Sequence, residues 1–377
     1  MINNNIDLGI VVTSIFDNNW LKRIFNQLEK EELLDSAKIY FIADNKTPST
    51  VFSQAKALAD KGLKIWIPHM SEQKEYCSSL NISSFILENS DHRRNIGFLK
   101  CIEDDVKYLL SMDDDNFPLT NNFFHLHKSS LGEVKNLEEI KSSNNFFNNC
   151  MLLKNDTFIH PRGFPFNRKR NNEYTFEKIK NKNIGVNAGL WSISPDVDGF
   201  SWLISHEEIL VDSVDDICLS SETYCPINTQ NTSLIKELIP AYYYIRMGFD
   251  IGGGLKFDRL GDIYSGYFLQ KVAKTMNYGV KFGMPVVTHE RNAHNYINDA
   301  NAEWGCMRTM DTFCDWLVDI KLDNSSVNDA YLSLSDELDV FANKTKFQFM
   351  SDQMTTFFVE TSQDMKRWLT TLSILEK

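Results

Sequence analysis

The 377-residue chain has no apolar run approaching the roughly eighteen residues that a membrane-spanning helix needs. Paired cysteines are also missing. Cys77, Cys101, Cys150, Cys218, Cys225, Cys306 and Cys314 are scattered and odd in number, with no CxxC among them. That argues against a disulfide scaffold or a cysteine zinc site and predicts small buried thiols in a reducing cytoplasm. Basic charge is scarce: 39 Lys and Arg against 51 Asp and Glu leave a formal charge of −12. A binder of phosphate backbones is normally basic, so nucleic acid is not an expected partner. No basic segment precedes the first apolar stretch, so a signal peptide is not expected either. Gly252-Gly253-Gly254 fits neither GxGxxG nor GxxxxGK[ST], which disfavours dehydrogenase and P-loop readings. Internal repeats are absent. Peripheral membrane association and a homo-oligomer are left open.

What is present is a composition 42% hydrophobic and 12% aromatic, enough for a sizeable core. Strand-like and helix-like segments alternate at first: strand 10–15, helix 18–34, strand 39–43, helix 50–61, strand 63–67, helix 95–107, strand 108–112. That rhythm predicts an α/β fold with a doubly wound, mostly parallel sheet, in which ligands sit beyond the carboxyl ends of strands. Residues 129–149 read as polar surface helix and loop, and 151–199 as loop. Helical patterns fill 303–320, 327–342 and 351–375. The expected organisation is a catalytic domain over residues 1–300 with a C-terminal helical extension over 301–377.

The chemistry-bearing residues follow the strands. Asp113-Asp114-Asp115 falls where strand 108–112 ends, with Asn116-Phe117-Pro118 behind it. Three adjacent carboxylates repel unless a cation neutralises them. Hard oxygen donors of this kind suit Mn²⁺ or Mg²⁺, whose other positions are filled by diphosphate oxygens and water. Asp44 likewise ends a strand. Arg93-Arg94-Asn95-Ile96-Gly97 opens a helix, where arginine forks and the positive helix end suit a diphosphate and Gly97 allows close backbone approach. The rigid loop from His160 to Arg170 holds Arg162, Arg168, Lys169 and Arg170, cations able to clamp phosphates or steady a leaving nucleotide. In Asn187-Ala188-Gly189-Leu190-Trp191, Gly189 suggests backbone near a ligand, and Trp191 is either a stacking wall or core. In the segment from Phe257 to Tyr267 an Asp at the helix start is either an N-cap or a general base. His289 follows a short apolar strand and is a candidate third metal ligand beside the Asp cluster.

The order of these motifs resembles the reversibly glycosylated polypeptide family, which includes the UDP-arabinopyranose mutases, within the GT-A glycosyltransferases. The carriers are Asp113-Asp114-Asp115, Pro161 to Phe166, Gly189-Leu190-Trp191 with Pro195-Asp196, Arg259 to Tyr267, and Gly279 to Pro285 with His289. They span roughly residues 8–300. The resemblance implies a GT-A-like, Rossmann-like mixed sheet, a nucleoside-diphosphate sugar donor (most readily a UDP-sugar), and a divalent cation on Asp113, Asp115 and His289. It also implies Asp262 as the acidic residue near the sugar. Where the family has a second Asp before Asp262, this chain has Gly261. The family's glycosylated arginine falls in register on Lys169, flanked by Arg168 and Arg170. The expected function is a metal-dependent glycosyltransferase acting on a glycan or lipid-linked acceptor in surface-polysaccharide synthesis. Asp262, Arg168 and Lys169 are its expected catalytic residues. Asp44, Arg94, Asn95, Gly97, Asp113, Asp114, Arg162, Gly189 and Trp191 are expected to bind the donor. The alternatives are a nucleotide-sugar mutase and a non-catalytic nucleotide-sugar binder.

Overall fold

The computed structural model describes residues 6–83, 85–154, 158–170, 172–205, 208–291, 295–348 and 351–375. Its first part is the expected α/β alternation. β1 (Leu8–Ser14), β2 (Ala37–Ala43) and β3 (Ile65–Trp66) alternate with α1 (Trp20–Lys30), α2 (Ser49–Ala59) and α3 (Met70–Ser79). α4 (Arg94–Glu103) then leads to β4 (Tyr108–Met112). β1 and β2 are buried almost throughout, so they read as unbroken apolar runs, as strands covered on both faces do. β1 pairs in parallel with β2 on one side and β4 on the other. The chain therefore reverses direction across the sheet between β1 and β4, which opens a crevice at their carboxyl ends.

Beyond β4 the sheet becomes mixed. It continues through β5 (Asn116–Pro118), β6 (Gly132–Ser142), β7 (Tyr174–Ser192), β8 (Ile217–Leu219), β9 (Asn231–Ile235) and β12 (Gly279–His289). The ten strands run in the order β3-β2-β1-β4-β9-β7-β6-β8-β12-β5, while β10 (Phe249–Gly252) and β11 (Leu255–Phe257) form a separate hairpin. Two expectations are corrected here. The segment read as surface helix and loop is largely β6, and the segment read as loop contains the 19-residue β7. The outer half of β7 pairs with β6 alone. Such a ribbon keeps water on both faces, so polar residues suffice and the apolar pattern of a strand is missing. The inner half, from Ile184, is fully buried.

The helices α5 (Phe123–Ser129) and α6 (Gly199–Ile204) are short, and α7 (Gly261–Thr275) is central. Thirteen residues of α7 are buried, so it is covered on all sides. Its cover includes α8 (Tyr296–Asp319), α9 (Val327–Lys344) and α10 (Ser351–Leu375). Phe313 of α8 meets Tyr264, Tyr267 and Phe268 of α7 at ring separations of 4.8, 6.0 and 5.7 Å. Each such pair contributes about 0.5–1.5 kcal/mol beyond the area it buries. Trp368 of α10 donates its indole N–H to the Pro240 carbonyl at 2.9 Å. All seven cysteines are buried free thiols. No helix among the described residues is long and apolar enough to cross a membrane.

Candidate functional site

Two joined cavities, of about 230 and 280 Å³, occupy the crevice between β1 and β4 and share Thr13, Asp91 and Asp114. The first is lined by Ser14, Phe16, Asp44 and Arg93 at the ends of β1 and β2 and the start of α4. Its loops are tied together: the Thr47 hydroxyl donates to the Ser14 carbonyl at 2.7 Å and accepts from the Asp44 N–H at 2.8 Å. The second holds the acidic cluster.

Each aspartate of the cluster has its own anchor. Arg94, buried behind the pocket, donates to Asp113 Oδ1 at 2.5 Å, to Ser111 Oγ and the Met112 carbonyl at 2.8 Å, and to Thr13 Oγ1 at 3.2 Å. The Ser14 hydroxyl bonds Asp114 and so pins the end of β1 to that of β4. Asn116 donates to Asp115 Oδ1 at 2.8 Å, and His289 Nε2 lies 3.4 Å from Asp115 Oδ2. Burial, opposed by Arg94 and reinforced by Asp115, pushes Asp113 up to about 7. Burial likewise pushes Asp114 up to about 6. Asp115 is held below the usual carboxylate range, because the hydrogen bond and charge of His289 outweigh its burial.

The opposite wall is a second charge cluster. Arg162 forks onto Asp262 at 3.0 and 2.6 Å and onto Asp196 at 3.0 and 3.0 Å, and it also donates to the Arg259 carbonyl. All five of its N–H donors are used. Asn228 adds a further hydrogen bond to Asp196 at 2.7 Å. Arg162 outweighs burial at Asp196 and holds it low, whereas burial pushes Asp262 above the usual carboxylate range. Asp262 is therefore the member of the pair better able to take a proton.

The pocket thus brings together Asp113, Asp114, Asp115, His289, Arg94, Arg162 and Asp262, with Asp44 in the adjoining cavity. Other expected residues have different duties. Asn95 is fully buried and binds the Tyr244 backbone, donating at 2.9 Å and accepting at 2.8 Å. A Cβ on Gly97 would lie 2.5 Å from Val11 Cγ1, so this glycine lets α4 rest on β1. At Gly189 the close neighbours are Asn231 and the Pro285 carbonyl, and Trp191 is core. All four, expected as donor contacts, pack against protein groups and are not among the residues lining either cavity. Arg168 and Lys169 lie off the pocket, paired with Asp315 and Asp198. Arg162 and, apart from its Nε, Arg94, both expected to grip phosphate, spend their donors on protein oxygens.

Several pocket residues were not singled out from sequence. Arg259 holds Asp299 of α8 at 3.0 Å, and Arg291 lies 3.4 Å from the same carboxylate with its guanidinium 5.1 Å from the Trp202 ring. Both arginines line the pocket, and the Arg291 Nη1 is buried without a hydrogen-bond partner among the described residues. Arg291 follows His289 by two residues, a spacing that could have flagged it. Gln230, whose buried Oε1 has no partner among the described residues, carries no sequence signal at all.

Among the described residues no three His, Cys, Asp or Glu side chains are already drawn together to hold a metal. The formal charges nonetheless favour one: six aspartates (91, 113, 114, 115, 196, 262) face four arginines (94, 162, 259, 291) and His289, so carboxylates outnumber cations whether or not the imidazole is protonated. His289 Nδ1 lies 2.6 Å from the Ser194 carbonyl. That bond fixes the tautomer and turns Nε2 toward Asp115, as in a histidine prepared to ligate a metal. Asp115 and His289 fit such an ion, with water and ligand oxygens completing its shell.

A family model described as reversibly glycosylated polypeptide matches residues 72–376. A probable UDP-arabinopyranose mutase 1 of Pisum sativum is 27% identical over 51% of this chain and 49% of its own length. A probable inactive UDP-arabinopyranose mutase 2 of Oryza sativa is 23% identical over 59% of this chain and 61% of its own. The chain spans about half the length of most curated relatives it matches. Among solved structures, a mannosyltransferase of Pyrobaculum calidifontis aligns with a TM-score of 0.38 and 8% identity, over 99% of this chain and 87% of the other.

Proposed function

Because its family model runs through most of its length, the chain belongs to the reversibly glycosylated polypeptide family, and from that premise we propose that it is an enzyme cleaving the bond between the sugar and diphosphate of a nucleotide sugar. The observation that carries this is the excess of carboxylates over cations in a pocket that adjoins a cavity at the ends of β1 and β2. The adjoining cavity, with Asp44 and Arg93, suits the nucleoside, and the acidic pocket suits the diphosphate and sugar. A bound Mn²⁺ or Mg²⁺ would neutralise charge building on the leaving diphosphate.

The chain's own groups do the remaining work. Asp115 and His289 would hold the ion, and Arg94 keeps Asp113 beside it. Arg259 and Arg291, braced by Asp299, offer positive charge to phosphate oxygens. Arg162 positions Asp262, which would accept a proton from an incoming hydroxyl or bind one on the sugar. The first reading is transfer to an acceptor hydroxyl, of a glycan or a lipid-linked sugar. The second is ring interconversion of a UDP-sugar with no acceptor, which is favoured by the names of the relatives. Thermal-shift titrations of the intact chain with UDP and GDP, each with and without Mn²⁺, test the shared premise. Stabilisation that needs nucleotide and metal together is expected, and stabilisation by neither would sink it. UDP-arabinopyranose supplied alone then separates the two readings, since a change of ring form without acceptor selects the second.

A further inference from the structure

Behind the acidic pocket lies another cavity, of about 620 Å³, within the usual range for small-molecule sites. One β-bridge separates the two. Pro161 pairs with Val197 in antiparallel register, and the Arg162 N–H donates to the Asp196 carbonyl at 3.0 Å. Around this bridge Arg162 and Asp196 line the acidic pocket, while His160 and Asp198 line the cavity behind. The nucleotide sugar is placed on the acidic side, so the rear cavity has to be read from its own walls.

Those walls are mainly apolar: Phe158, Phe166, Phe200, Ile204, Trp304 and Met307 make up half of the twelve lining residues. Phe158, Phe166 and Ile204 are 69%, 67% and 84% exposed. Contiguous apolar surface of this kind marks binding sites. At the same mouth stand two cations. Lys169 gives Asp198 one hydrogen bond at 2.7 Å and no other to a described residue, while Arg170 is exposed and makes no ion pair with any described residue. Burial, reinforced by the charge of Lys169, holds His160 down to about 4, so it is neutral. Lys169 and Arg170 against Asp198 leave one positive charge here, in a chain whose net charge is −12. A sugar would need a partner for each hydroxyl, and these walls offer few.

We propose that the rear cavity binds an apolar chain ending in a phosphate. The chain lies against Phe166, Phe200 and Trp304, and the phosphate sits on Lys169 and Arg170, whose ammonium and guanidinium suit a phosphate dianion. This site stands apart from the nucleotide-sugar reading and does not require it.

Calorimetric titration of the full chain with farnesyl phosphate tests it, beside co-sedimentation with phosphatidylcholine vesicles with and without phosphatidic acid. Saturable binding is expected, with farnesol and inorganic phosphate each at least ~tenfold weaker. Phe166→Asp and Arg170→Glu change exposed side chains and leave the fold intact. Each should abolish this binding while the UDP-dependent thermal shift persists. Binding of the soluble phosphate assigns a free ligand, and binding only to phosphatidic-acid vesicles assigns a bilayer lipid. No saturable binding in either form, equal binding of farnesol, or binding unchanged in both variants would overturn the proposal.

Discussion

Arg94 and Arg162 face the same pocket from opposite walls, and the charges around them are arranged differently. Arg94 meets one carboxylate and otherwise neutral oxygens. It fixes Asp113, and among the described residues Asp114 and Asp115 have no Lys or Arg ion-pair partner. Arg162 meets two carboxylates, each gripped in a fork, and so lies inside a closed triad. One wall is built to be completed by something from solution, whereas the other is complete. Both arginines are struts, and the number of carboxylates each one holds decides whether its wall is left open.

The contrast can be broken most severely at the closed wall. Arg162→Ala would strand two buried carboxylates and cost about 3–5 kcal/mol, read as a lowered urea midpoint. A loss below about 1 kcal/mol would mean that the triad is not closed. At the open wall the expected effect is on activity. Asp115→Asn should leave the urea midpoint nearly unchanged and lower metal-dependent turnover about hundredfold, about 2.7 kcal/mol of barrier. A variant that kept its metal dependence would remove Asp115 from the proposed site.

A third test concerns the brace behind Arg259. Glu303 accepts the Gly199 N–H at 2.8 Å, and burial pushes it up to about 7. Folded chains then hold a proton that unfolded chains release above about pH 4.3. This contribution is full below that pH and is lost as pH rises through about 7, with a steepest slope of about 1.4 kcal/mol per pH unit. Urea curves at several pH values should show the slope, and Glu303→Gln should flatten it. The smallest effect is expected off both walls: Arg168→Ala breaks a half-exposed pair with Asp315 and costs about 0.2–1 kcal/mol.

How much of this could be read in advance follows from burial. β1, β2 and β4 are covered on both faces, so their apolar runs announce them and place Asp44 and Asp113–Asp115 at strand ends. The β6–β7 ribbon is wet on both faces and carries Lys, Asn and Glu, which read as loop. Glycine was ambiguous for a related reason. Gly97 and Gly189 do allow close approach, but to Val11 and to Asn231, and sequence does not say whether the neighbour is a ligand or another strand. The pairing of Arg162 with Asp262 joins residues one hundred positions apart, beyond the reach of local pattern. Gln230 lines the pocket only because β9 runs beside β4, a neighbour relation that spacing cannot encode.

The helix α7 has a consequence for how the molecule comes apart. With thirteen of its residues buried, it has no outer face on which water is tolerated. Its start carries Asp262, its middle packs against Phe313 of α8, and α9 lies along it. Stripping away the last helices would bare tyrosines and phenylalanines beside the acidic pocket, so loosening of the chain's end and loss of the site should occur in one melting event.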